Sequence, residues 1–101
     1  HVSIRFIDWM SFLLGCVPTS DPRSLITPFM RDACLGLSDT VIAAEIITFQ
    51  ADRSAGISKH QALNQGTSNC THSCEEAGGP HTDCRIYCGT CVAAIVDAVY
   101  P

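Results

Sequence analysis

Charge is scarce in this chain of 101 residues: only 16% are Asp, Glu, Lys or Arg, against a hydrophobic fraction of 47%. The six Lys and Arg are scattered rather than clustered, and the formal net charge is −4. That balance argues against an electrostatic grip on nucleic acid or on anionic lipid. Aromatic residues are few, with a single Trp. No apolar run reaches the roughly 20 residues that a membrane-spanning helix needs. There is no glycine-rich phosphate loop, and no Ser, His and acid stand in a nucleophile-elbow context, so catalysis has no specific signature here. Strand-type alternation, internal repeats, low-complexity tracts and linkers are absent too. What remains is one small all-α domain over residues 1–101, too hydrophobic to be disordered.

Cysteine, by contrast, is abundant. The chain has seven, and five of them fall between residues 69 and 91. That density in a chain this size points to an oxidising, extracytoplasmic compartment, either periplasmic or secreted. His1 in place of an initiator Met is compatible with removal of a signal peptide and equally with a shortened chain. Leu13-Leu14-Gly15-Cys16 superficially resembles a lipoprotein cleavage site, but Arg5 and Asp8 interrupt the preceding apolar run.

Helical periodicity orders the chain. Ile4, Phe6, Ile7, Met10, Leu13 and Leu14 recur at helical spacing and predict a first helix over about 3–15, with Trp9 as its core anchor. Asp21-Pro22 and Thr27-Pro28 each pair an N-cap residue with Pro at the first helical position. They mark either a short helix or a kinked start to a long one. The stretch 29–53 is apolar over more than half its circumference and predicts a central helix with several neighbours, slightly weakened at Gly36. Ser58 and Gln61 form a capping box that starts a third helix near Lys59. Gly78-Gly79-Pro80 ends it, and Thr82 can cap a fourth helix running to about Val99. About four helices with short connections fit an antiparallel bundle or an orthogonal array.

Cys70 and Cys74 are four residues apart, as are Cys84 and Cys88, so each pair shares one helix face. The intervening turn folds the two helices back on each other and predicts two rungs, Cys74 with Cys84 and Cys70 with Cys88. This paired C-x3-C hairpin resembles the twin C-x3-C helical hairpins of mitochondrial intermembrane-space proteins over about 20 residues. Cys16, Cys34 and Cys91 remain. A bond from Cys16 to Cys34 would close a loop of modest length, whereas pairing either with Cys91 would tie the amino-terminal half to the hairpin. One thiol is left over in any monomer.

Two other readings use the same cysteines. Thiolates select Cu(I) or Zn(II), and Cys70, Cys74, Cys84, Cys88 and Cys91 with His72 form a soft donor set, His81 standing nearby. The spacing looks somewhat like the thiol-lined helices of four-helix copper-storage proteins, a resemblance that implies a bound metal. Cys88-Gly89-Thr90-Cys91 has the C-x-x-C form of a dithiol redox couple, although it falls inside a helix rather than at its N-terminus.

Among the remaining residues, Glu45 stands out as a possible functional acid. Val41 and Phe49 flank it one helical turn away on each side, so its carboxylate must find a partner, shift its pKa upward or face a cleft. The plain expectation is an ion pair with Arg31, Arg53 or Lys59. Tyr87 and Tyr100 are expected to pack, and the sequon Asn69-Cys70-Thr71 to go unused inside a stapled helix. Taken together, these features imply a small secreted or periplasmic, disulfide-stabilised helical interaction protein of the effector, toxin, pheromone or inhibitor/immunity type. It would be non-enzymatic, without a cofactor, with another protein as partner, and capable of homodimerising through the odd cysteine or an exposed apolar helix face. The alternative is a thiol-based copper, zinc or dithiol redox protein.

Overall fold

The computed structural model describes residues 22–101; the expected first helix, with Trp9 and Cys16, lies outside them. A 3-10 turn, Pro22–Leu25, leads into four α-helices: α1 Pro28–Ala33, α2 Asp39–Ser54, α3 Lys59–Glu76 and α4 His81–Val99. No strand occurs among the described residues, and none of their helices is long and apolar enough to cross a membrane.

The long central helix expected over 29–53 is two helices. Thr27 caps α1 by accepting the Met30 N–H at 3.1 Å, and Ser38 caps α2 by accepting the Val41 N–H at 3.3 Å. Between them Gly36 adopts φ +92°, a conformation in which any side chain would be strained. The apolar pattern continues across this break, which hides it; the informative signal is Gly36 followed by a Ser-Asp start.

α3 begins as expected, with Ser58 accepting the Gln61 N–H at 3.1 Å. It ends in a Schellman turn in which Gly78, at φ +101°, lets the Gly79 N–H reach the Cys74 carbonyl at 3.0 Å. α4 then starts two residues earlier than expected. Pro80 is its N-cap, no side chain caps it, and Thr82 lies inside the helix.

α4 is the hub. It buries Cys84, Cys88, Cys91, Val92, Ala94, Ile95, Val96 and Val99, and it packs against α1, α2 and α3. The neighbour-rich helix is therefore the fourth rather than the second. Three disulfides fix this arrangement. Cys70–Cys88 and Cys74–Cys84 join α3 to α4 as the expected rungs, each with Cα atoms 5.7 Å apart.

The third disulfide decides between the two pairings left open for Cys34: the bond is to Cys91 and not to Cys16, with Cα atoms 4.7 Å apart. The reason is tertiary. α1 lies over α4 one turn beyond the second rung, and Cys34 and Cys91 are both buried there. The six described cysteines are thus paired with one another, which leaves Cys16 as the odd one.

Both tyrosines expected to pack also act as ties. Tyr87 donates its hydroxyl to the Leu35 carbonyl and Tyr100 to the Ile57 carbonyl, each at 2.8 Å. The first fastens the α1–α2 connection to α4; the second fastens the chain end to the α2–α3 connection.

The two helical glycines Gly66 and Gly89 make opposite predictions. A methyl group at Gly66 would stand 2.8 Å from Phe49 Cζ and 2.9 Å from Val92 Cγ1. That overpacking costs about 1–3 kcal/mol and outweighs the gain of about 1 kcal/mol in helix propensity. At Gly89 nothing lies within 4 Å, so only the gain applies. Gly66→Ala lowers the melting temperature and Gly89→Ala raises it; thermal denaturation followed by circular dichroism reads both signs.

Candidate functional site

α2 packs on α4 but touches α3 only sparingly, so a groove of about 530 Å³ stays open between α2 and α3. Its floor is apolar, made by Phe49 of α2, Gly66 of α3, and Val92 and Ile95 of α4. Its rims are polar. Glu45, Thr48 and Asp52 follow one another at i, i+3 and i+7 along α2, and Gln65, Asn69 and Ser73 at i, i+4 and i+8 along α3. Those spacings keep each row on one helix face. Leu37 and Val41 line the same groove from the α2 side, and Val41 is 44% exposed.

One half of every disulfide reaches this wall: Cys70, Cys74 and Cys91 all line it. The groove's width is thereby set by covalent bonds from α4 to α3 and to the α1 end of the chain. Gly66 contributes by absence, since a side chain there would collide with Phe49 and Val92. Tyr87 closes the remaining side with its hydroxyl turned to the Leu35 carbonyl.

Glu45 sits in this groove half-buried, and the plain expectation for it fails. Arg31 pairs with Asp39 at 2.9 Å, Arg53 donates to the Val99 carbonyl at 3.0 Å, and Lys59 pairs with Asp97 at 2.9 Å. All three expected partners are engaged elsewhere, and Glu45 makes no ion pair or hydrogen bond through its carboxylate among the described residues. Burial raises its pKa above the usual glutamate range with no cation to oppose the shift. No described Lys, Arg or His lines the groove.

The soft donor set disperses. Cys70, Cys74, Cys84, Cys88 and Cys91 are all in disulfides and offer no thiolate in this oxidation state. Cys88 and Cys91 are bonded to different partners rather than to each other, so the C-x-x-C spacing is not a redox couple here. His72 and His81 lie exposed beside Glu76 and Glu75, at 3.4 and 2.6 Å. In the sequon, Thr71 is buried, its hydroxyl unpartnered, and Cys70 is cross-linked.

Two further hollows lack this combination. One, of about 590 Å³ beside the chain end, presents Arg53, which is already bound to Val99. The other, of about 620 Å³ on the outer face of α3 and α4, presents His81 and Glu75, which face each other. Of these three hollows, described among residues 22–101, the α2–α3 groove is the one that sets a half-buried carboxylate beside an apolar floor. No protein-family model, curated protein or solved structure matches the chain, so its chemistry rests on this geometry. An apolar trench with a desolvated carboxylate at its rim is suited to holding a ligand that is apolar on one side and cationic on the other.

Sequence reasoning singled out Glu45, with Val41 and Phe49 beside it, and the half-cystines, but missed Gly66 and the α3 rim. The turn-by-turn recurrence of Gln65, Asn69 and Ser73 in a helix poor in large apolar residues was the available signal.

Because the folded-state pKa of Glu45 is raised, the folded protein holds this proton more tightly than the unfolded chain does. The contribution of Glu45 to stability therefore falls as pH rises from the ordinary glutamate value through the raised one. Glu45→Gln melts higher than the wild type at pH 7, and the difference shrinks as pH falls into the ordinary glutamate range. A difference independent of pH between 4 and 7 would contradict the burial of an unpaired carboxylate.

Proposed function

We propose that this protein is a non-enzymatic interaction module that works in an oxidising, extracytoplasmic compartment and binds another protein through the α2–α3 groove. The effector, toxin, pheromone and inhibitor or immunity classes all share that design. The observation that carries the reading is the groove itself, whose wall includes one half of each disulfide and an unpaired, half-buried Glu45. Three disulfides in so short a chain support export, since thiols in a reducing cytosol are kept reduced. A cross-linked groove is also pre-organised, which limits the ordering cost of association.

The competing thiol-based reading, with copper or zinc on Cys70, Cys74, Cys84, Cys88, Cys91 and His72, requires the cysteines to be reduced. Self-association, through Cys16 or through the exposed Phe29, Leu35 and Ile86, would be an additional property of the same module.

A photo-crosslinking residue placed at Thr48, inside the groove, is expected to give a discrete protein adduct in producing cells, and the adduct is lost with Val41→Asp or after reduction of the disulfides. The same probe at Arg85, outside the groove, gives none. Equal adducts from both positions, or an untreated protein with free thiols carrying copper or zinc, would sink this function.

A further inference from the structure

The groove has a charge that no described residue matches. Among the described residues Glu45 has no cationic partner, because Arg31, Arg53 and Lys59 are each engaged elsewhere. Asp52 adds a second acid on the same face of α2, and no described cation lines the groove. An occupant that was wholly apolar would bury the carboxylate of Glu45 further and leave it unpaired, which is costly.

The shape narrows the occupant further. The α2 wall runs from Val41 to Asp52, about 16 Å at ~1.5 Å per residue, or about three helical turns. The α3 rim is polar, the α2 rim is polar from Glu45 to Asp52 and apolar at Val41, and the floor between them is apolar. A segment with an apolar stripe and polar flanks covers floor and rims together, whereas a small ligand enclosed on the floor would leave both rims bare. That is the arrangement by which an amphipathic helix lies in a groove.

We propose that the occupant is an amphipathic helix of a partner protein that lays its apolar stripe on the exposed Val41 and the partly exposed Leu37, above the buried floor of Phe49, Val92 and Ile95, and presents a Lys or Arg to Glu45. This rests on the groove being the binding face. The ion pair is made in a partly desolvated site, where a charge-assisted hydrogen bond is stronger than at an open surface. Its role is selection: a neutral residue at that position of the partner leaves Glu45 unpaired.

The test uses the full oxidised chain and a fluorescent synthetic helix of four turns, with Leu at i, i+3, i+4 and i+7 and one Arg flanking the stripe. A matched peptide carries Gln in place of Arg. The Arg peptide is expected to bind about tenfold more tightly to the wild type. Glu45→Gln is expected to erase that preference while still binding the Gln peptide, and Val41→Asp to weaken both.

Equal affinity for the two peptides, or a preference that survives Glu45→Gln, would overturn the cation assignment while the groove reading stands. Absence of any binding that depends on Val41 would overturn both. Residues 2–14 carry Arg5 among apolar residues at helical spacing. A synthetic peptide of that stretch binding more tightly than the Arg peptide, with the same dependence on Glu45, would assign the groove to the chain's own segment. A concentration-dependent dimer abolished by Val41→Asp would assign it to a second copy. Either result overturns the partner.

Discussion

Cys84, Cys88 and Cys91 stand at i, i+4 and i+7 on α4, along one stripe of the helix, and each is bonded to a different place in the chain. Everything else is arranged around that stripe. The first two hold α3 antiparallel to α4, and the third holds the end of α1 against it. In the chain-entropy account a cross-link stabilises by restricting the unfolded chain, more so for longer loops. Cys34–Cys91, at a separation of 57 residues, removes most, about 4 kcal/mol against about 3 kcal/mol for each hairpin rung. The bond that is least apparent in the sequence thus constrains the unfolded chain most.

The same stripe explains why a groove survives in a protein of this size. Small domains bury a modest share of their surface and tend to close gaps between helices. Here α2 and α3 are each held to α4 rather than to each other. α3 is fixed by two disulfides, and α2 by apolar packing together with the ties from Arg53 to Val99 and from Tyr100 to Ile57. With both helices attached to a common floor, nothing draws them together, and the space above α4 stays open. Gly66 deepens it, because Phe49 and Val92 occupy the place where a side chain would stand.

Electrostatics turns that space into a selective one. Among the described cations, Arg31 is tied to Asp39 and Lys59 to Asp97, and none lines the groove. Glu45 is left in a partly apolar setting with its charge unmatched. In a chain with so little charge, one unpaired carboxylate is a strong local feature. It favours an incoming cation over a neutral group by the difference between a paired and an orphaned anion.

Much of the fold was legible in the chain because it depends on short-range rules. Ser58 with Gln61 started α3, Gly78-Gly79-Pro80 ended it, and the twin four-residue spacings of cysteine set both rungs of the hairpin; such patterns are read within one or two helical turns. The break at Gly36 was harder, since the apolar periodicity runs through it. The choice between Cys16 and Cys91 as the partner of Cys34 stayed open, and the isolation of Glu45 could not be read at all. Each depends on which distant surfaces meet: α1 crossing α4 beyond the second rung, and Arg31, Arg53 and Lys59 being drawn to other acceptors. The chain by itself therefore determined an all-α, disulfide-stapled hairpin, because helix caps, turns and i, i+4 spacing are local. The tertiary structure alone decided the third disulfide, the hub role of α4 and the acidic groove, because these arise from long-range packing that no local pattern encodes.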